Sequence, residues 1–190
     1  SSVESLQLQR GVGTSTNGNA AFGASLNLLT QAVAAEPKAQ WSQSVGSFNT
    51  LKNTLQFSTG QFANGFEISG RLGKIVSDGY VDRASSNLKS FFLQAAYQDK
   101  NTLIKLLGFG GHEITYQSWY GVDAATLKNN RTYNPAGEIY SPDGKLTGFY
   151  DNQVDNYQQD HYQFHWTQQL NNRWDFSLGL NYTYGRGYYE

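Results

Sequence analysis

The chain has 190 residues, with 14 Lys and Arg against 15 Asp and Glu, and a formal charge of -1 gives no overall pull toward nucleic acid or anionic lipid. Hydrophobic content of 38% and a mean hydropathy of -0.57 match a soluble protein, and no apolar run approaches the ~18 residues a spanning helix needs. That excludes a helical membrane protein but not a transmembrane barrel, in which only alternate residues of each strand face lipid. With no Cys, disulfides and thiol chemistry are out. With no Met, and a start at Ser1-Ser2-Val3 lacking a basic and apolar leader, the chain reads as an internal piece of a longer protein.

In chain order, a strand-like Leu6-Gln7-Leu8-Gln9 comes first and runs into Arg10-Gly11. The loop Val12-Gly13-Thr14-Ser15-Thr16-Asn17-Gly18-Asn19 follows, then a second strand-like stretch from Ala20 to Leu28. Glycine-rich turns can aim backbone N–H groups at phosphate. This one lacks the Lys of a P-loop, has no third glycine at position 16 to continue Gly11-x-Gly13, and leads into a strand instead of a helix. Arg10 reads from the sequence as a solvated strand end.

From Gln40 onward the dominant period is two, the signature of strands with two different faces. Leu51, Leu55 and Phe57 alternate with Lys52, Thr54, Gln56 and Ser58; Phe66, Ile68 and Leu72 alternate with Glu67, Ser69, Arg71 and Gly73. Tyr162, Phe164 and Trp166 alternate with His161, Gln163, His165 and Thr167. The cleanest run is Trp174, Phe176, Leu178, Leu180, Tyr182 and Tyr184 against Asp175, Ser177, Gly179, Asn181, Thr183 and Gly185. The pattern predicts seven strands, at 40–47, 50–59, 65–75, 87–98, 102–118, 157–170 and 173–185.

Their connections alternate in length. Gln61 to Gly65, Asp99 to Asn101 and Asn171 to Arg173 are tight turns rich in Gly, Asn and Asp, which tolerate the positive φ a hairpin demands. On the other side lie Val76 to Ser86 and the long Trp119 to Asn156, with internal turns at Asn134-Pro135-Ala136-Gly137 and Ser141-Pro142-Asp143-Gly144; the short Gly46 to Asn49 is the exception. Short turns on one side and long loops on the other are the habit of outer-membrane barrels, whereas period-two strands alone fit a soluble sheet equally well. Trp41, Trp119, Tyr120, Tyr157, Tyr162, Trp174, Tyr188 and Tyr189 gather near predicted strand ends, as interfacial girdles require. Seven strands do not close such a barrel, and an open edge in lipid leaves backbone groups without partners.

No metal or cofactor is called for. His161 and His165 share a face but stand four residues apart on a strand, about 13 Å, too far to bind one ion at bonds of about 2.0 Å. Asp151-Asn152-Gln153-Val154-Asp155 lacks the Gly and Glu of a calcium loop. No Gly-x-Ser-x-Gly elbow occurs, so no catalytic residues are assigned. Asn130-Arg131-Thr132 and Asn181-Tyr182-Thr183 match a glycosylation pattern too weak to carry meaning. The long loop holds the candidate ligand contacts Lys128, Arg131, Tyr133, Tyr140 and Tyr150, a mix suited to adaptable polar recognition and stacking.

The order of strand, Gln9-Arg10-Gly11, Gly/Ser/Thr/Asn loop, small residues with Phe22, then Ser25-Leu26-Asn27-Leu28 resembles the end of the plug of TonB-dependent outer-membrane transporters, in the form seen in the Bacteroidetes branch. Asn130 to Gly137 and Tyr150 to Gln163 look similar to the same branch, so the resemblance covers nearly the whole chain. It implies an all-β fold: residues 1–36 as the C-terminal part of a plug, and residues 37–190 as the first strands of an antiparallel transmembrane β-barrel of roughly 22 strands. Arg10 and Gly11 would form a latch, the arginine pairing with wall carboxylates, and outer loops would help capture ligand.

The protein would then not be an enzyme. It would be a bacterial outer-membrane receptor in contact with outer-membrane lipid, with TonB as partner through a segment N-terminal to this one. Its cargo would be a scarce small solute, whether iron-siderophore, haem, cobalamin or oligosaccharide. A soluble or surface-attached β-domain that binds glycan or protein, and a passive porin, are the competing readings.

Overall fold

The computed structural model describes residues 3–11, 23–30 and 32–190. Strands β1 (Val3–Arg10) and β2 (Ala24–Thr30) pair antiparallel, with Leu6 opposite Leu28 and Arg10 opposite Ala24, and the Gly11 amide donates to the Gly23 carbonyl at 2.8 Å. They form a two-stranded sheet of their own. The glycine-rich loop between them, 12–22, lies outside the described residues.

The rest of the chain is built on one antiparallel sheet. Its first five strands are β3 (Pro37–Gly46), β4 (Thr50–Thr59), β5 (Phe66–Ser77), β6 (Ser86–Gln98) and β7 (Thr102–Tyr116). A loop then carries the helix α1 (Ala124–Asn129) and the short strands β8 (Glu138–Tyr140) and β9 (Leu146–Phe149), which pair with each other. The sheet is completed by β10 (Val154–Asn171) and β11 (Trp174–Tyr189), in the order β3-β4-β5-β6-β7-β10-β11. Neighbours in the chain are neighbours in the sheet, so each connection is a hairpin, and β3 and β11 are open edges.

All seven expected strands are present; β4 has the expected bounds and the other six have shifted ends. β3 starts at Pro37, before position 40; a proline with no N–H is tolerated as the first residue of an edge strand. Gly60, at φ +66, closes that corner: a Cβ there would lie 2.6 Å from the Glu36 carbonyl carbon and the Pro37 nitrogen. β10 starts at Val154, earlier than 157, and β11 runs on to Tyr189, beyond 185. Gly185 ends the expected strand and Gly187 lies beyond it, and both are in the ladder with the Tyr157 ring against them. A Cβ at Gly187 would sit 2.7 Å from that ring, and one at Gly185 would sit 2.8 Å from its hydroxyl.

The register sorts the side chains onto two faces. On the apolar face, rows run straight across the sheet: Ala39, Phe57, Gly70, Leu93, Gly108, Tyr162 and Tyr182 form one, and Ile68, Ala95, Leu106, Phe164 and Leu180 another. On the polar face, Gln40, Gln56, Arg71, Phe92, Phe109, His161 and Thr183 form a row, and Lys38, Ser58, Ser69, Gln94, Leu107, Gln163 and Asn181 the next. In the middle of β5–β7 burial runs opposite to polarity, whereas β3 and β11 are exposed on both faces and Asp160, on the apolar face of β10, is buried. Glu67, Phe92, Gln94, Ala96 and Leu107, all on the polar face, are buried, whereas Ile68, Leu72, Leu93, Leu106, Tyr162 and Leu180 on the apolar face are about half exposed.

The aromatic residues expected at strand ends divide accordingly. Trp41, Tyr162, Trp174 and Tyr188 belong to the apolar face, Trp41 and Tyr162 in mid-strand, while Tyr157 and Tyr189 alternate onto the polar face. Trp119 and Tyr120 lie outside the strands, Trp119 edge-on to Tyr189 with centroids 5.6 Å apart.

Candidate functional site

The polar face carries a groove of about 800 Å³, lined among others by Lys52, Arg71, Phe92, Phe109, His161 and Tyr157, with Val3 of β1 at its margin. Strand alternation puts these side chains together: Arg71, Phe92, Phe109 and His161 are directly opposed neighbours on four successive strands. Phe109 and His161 stack with centroids 4.7 Å apart and planes at 14°, and Phe92 lies 6.3 Å from Phe109. The His161 ring is fixed by Nδ1 to the Thr183 hydroxyl at 2.9 Å and Nε2 to Gln159 at 3.0 Å. His165 also lies on this face and its Nε2 meets Gln163 Oε1 at 3.1 Å, so each histidine has its own polar neighbours. An aromatic strip beside two cations suits a ring-bearing or anionic solute.

Next to the groove is a buried polar network. Glu67 is 1% exposed and accepts from the Ser58 hydroxyl at 2.8 Å and from Gln94 Nε2 at 3.4 Å; the Gly60 amide donates to the same Ser58 oxygen at 3.0 Å. Lys105, one strand beyond Ala96 on the same row, interacts electrostatically with Glu67 and with Glu4 of β1. Glu4 and Glu67 also line one cavity with Lys38 and Gln56. The end of β1 that reaches the sheet is therefore Val3 and Glu4.

Arg10 lies at the other end, seven residues or about 23 Å along the strand from Val3. It is exposed, and among the described residues its side chain has no partner; Gly11 has φ +86. Glu4 is the residue that the sequence reading missed. Its place in the same period-two series as Leu6 and Leu8 is visible, but its electrostatic relation to Lys105, about a hundred positions on, is not.

The other predicted site residues belong to the loop 117–153, which is folded. Arg83, from the preceding loop, donates to the Asn134 carbonyl and to the Ala136 carbonyl at 3.1 Å, and its guanidinium lies 3.7 Å over the Phe149 ring. Asn134, 2% exposed, donates to the carbonyls of Asp82 and Gln117, each at 3.0 Å, and accepts the Ala136 amide. The Tyr116 hydroxyl donates to the Tyr150 carbonyl at 2.6 Å.

Within this loop, Tyr133 and Tyr140 both donate their hydroxyls to Glu138, at 2.7 and 2.6 Å. Hydrogen bonding to that carboxylate raises both phenols above the usual tyrosine range. Tyr150 exposes its ring and contributes its carbonyl to Tyr116. Lys128, in the last turn of α1, and Arg131, just beyond it, are exposed cations with no partner among the described residues. The five candidates thus separate into two free cations, two tyrosines already bonded to Glu138, and a tyrosine anchored through its backbone. No protein-family model matches the chain, and no curated protein sequence matches it.

Proposed function

We propose that this chain is a piece of a TonB-dependent outer-membrane receptor, with residues 37–190 supplying adjacent strands of a larger transmembrane barrel and residues 1–36 the end of its plug. The observation that carries this reading is the inversion of burial in the middle of the sheet: in β5–β7 the apolar residues Ile68, Leu72, Leu93 and Leu106 are exposed, while Glu67, Gln94 and Leu107 on the polar face are buried. A water-soluble antiparallel sheet packs its apolar face on a core. A barrel in lipid turns that face outward and encloses the polar one. The open edges of β3 and β11 pair with further strands, since unpaired N–H and C=O groups in hydrocarbon cost several kcal/mol each.

The connections support the same orientation. Residues 60–65, 99–101 and 172–173 are tight turns at one end of the sheet, and the folded loop 117–153 stands at the other, where an extracellular ligand would arrive. The groove with Arg71, Phe109 and His161 faces the lumen. Glu4, which lines one cavity with Glu67 and Lys38 and whose charge acts on Lys105, would tie the plug segment to the wall, a role the resemblance implied for Arg10. TonB, acting on a plug segment N-terminal to this chain, would open the path for a scarce solute.

Two measurements on the full-length protein test this. It should leave the membrane fraction only with detergent and migrate differently on electrophoresis before and after boiling; a protein soluble without detergent ends the reading in favour of a soluble β-domain. Uptake of the solute that supports growth should be lost in cells without TonB, and uptake that persists identifies a passive porin instead.

A further inference from the structure

One transverse row of the apolar face breaks its character. Gln43, Asn53, Lys74, Lys89, His112, Gln158 and Arg186 are successive neighbours across all seven strands, so each strand contributes a polar residue, four of them basic and none acidic. In β5 and β6 the rows on either side are apolar or neutral: Leu72 and Phe91 toward the tight turns, Val76 and Asn87 toward the long loops. Arg186 already has a counterion, Asp160 Oδ2 at 3.0 Å, and lies over the Tyr184 ring. His112 Nε2 lies 2.8 Å from Asn156 Oδ1.

Lys74 and Lys89 have neither. They are exposed and directly opposite each other, and among the described residues neither ammonium has a hydrogen-bonding or ion-pair partner. Directly opposed residues hold their Cβ atoms about 4.5–5.5 Å apart, and like charges in that position destabilise the pair. Adjacent strands are about 4.8 Å apart, so Lys74, Lys89 and His112 fall within about 10 Å. Repulsion of this kind is relieved by an anion seated between the two ammonium groups, and lysine is a good point-charge partner for phosphate.

We infer that Lys74 and Lys89, with His112 beside them, bind the phosphate of an anionic lipid of the surrounding leaflet. The inference rests on the barrel reading, because it takes the apolar face to lie against lipid. The occupant follows from what adjoins the cations: Leu72 and Phe91, one row away, continue into the exposed apolar belt, so a molecule with phosphate and acyl chains covers both surfaces, and a free phosphate covers only one. The near-neutral charge of the whole chain conceals this site, because the cations are gathered by register and not by sequence.

The test uses the full-length protein in mild detergent, with lipid A binding measured by native mass spectrometry or thermophoresis. Lys74→Ala/Lys89→Ala should weaken binding roughly 30-fold, on the basis of about fivefold per lysine near an anionic lipid surface. Lys74→Arg/Lys89→Arg should retain it, and dephosphorylated lipid A should bind wild type as weakly as lipid A binds the double alanine variant. A difference in migration between unboiled and boiled samples, equal to that of wild type, shows that the variants are folded. Equal binding of lipid A to wild type and the folded alanine variant overturns the site, as does full competition by 10-fold excess inorganic phosphate, which would make the anion a free one. A protein that needs no detergent fails the barrel reading itself, a result distinguishable from loss of the lipid site alone.

Discussion

In the seven-stranded sheet the backbone ladder does the holding, and side chains sort by parity onto two faces; in the loop 117–153 a handful of side chains hold the backbone. Fifteen successive pairs join β7 to β10 without a break in register. The loop, by contrast, depends on Arg83 and Asn134, whose bonds to main-chain carbonyls join segments about fifty residues apart in sequence. A substitution in the sheet should therefore act through the environment of its face and be felt throughout the ladder. A substitution in the loop should act through one lost bond and stay local.

The largest effect should come from placing a charge on the apolar face. Leu106, 55% exposed and directly opposite Phe164, lies in the middle of the belt. In lipid, Leu106→Lys should cost about 2–4 kcal/mol, the penalty for Lys or Arg near the bilayer midplane, whereas Asn181→Lys on the polar face should cost below about 1 kcal/mol. Denaturant unfolding of the full-length protein in vesicles measures both. Equal costs would mean that the two faces share one solvent, and the contrast would be lost.

Glu67 probes the buried side of the same sheet. Glu67→Ala strips the acceptor from the Ser58 hydroxyl and the Gln94 amide and removes a counter-charge of Lys105. A cost of about 1–3 kcal/mol is expected from groups left unsatisfied in a buried site. Glu67→Gln, which keeps an acceptor, should recover part of it in the same unfolding measurement. If Glu67→Ala is neutral, the polar face is wetter than its burial suggests.

Arg83→Ala should act on the loop alone. It removes two hydrogen bonds to carbonyls and a cation stacked on Phe149, together about 2 kcal/mol of local stability. Amide exchange in 134–150 should speed up while exchange in β6 and β7 stays as it was. Arg83→Lys should not rescue, since lysine has no planar fork to span two carbonyls. Faster exchange in the sheet would show that the loop and sheet are one cooperative unit.

The same contrast explains what could be read from the sequence. The seven strands were legible because period-two alternation is local: Trp174 through Tyr184 declare β11 with no knowledge of its partner. The loop was legible only at its turns, where Ser141-Pro142-Asp143-Gly144 does close the β8–β9 hairpin, with the Gly144 amide on the Ser141 carbonyl at 2.9 Å. Its strands of three and four residues are too short to show a period, and α1 is six residues long. The opposition of Lys74 and Lys89 depends on register, and the approach of Glu4 to the cavity it shares with Glu67 and Lys38 on tertiary structure, which no spacing along the chain encodes. Tyr133 and Tyr140 were recognisable as recognition-type residues, but that both hydroxyls are engaged by Glu138 was not.

The smallest effect should be a pH response confined to α1. Asp123 caps this helix, its carboxylate accepting the amides of Ala125 and Thr126, each at 2.9 Å, and the Thr126 hydroxyl at 2.8 Å. Donation by the Thr126 amide, then by its hydroxyl, holds the carboxyl below the usual aspartate range. A carboxylate with a folded pKa below its unfolded one stabilises the helix above the unfolded value, and this stabilisation is lost as pH falls through the lowered folded value. The turn should therefore be intact at neutral pH and loosen only in acid below the normal aspartate titration. The Leu127 amide, which donates to the Asp123 carbonyl at 3.0 Å, is the reporter. Asp123→Asn keeps a capping oxygen but does not titrate, so it should hold the Leu127 resonance steady through the same acid range. Sheet amides should not shift with it in either protein; acid-induced shifts that run on into β7 would join the loop to the ladder and remove the distinction between them.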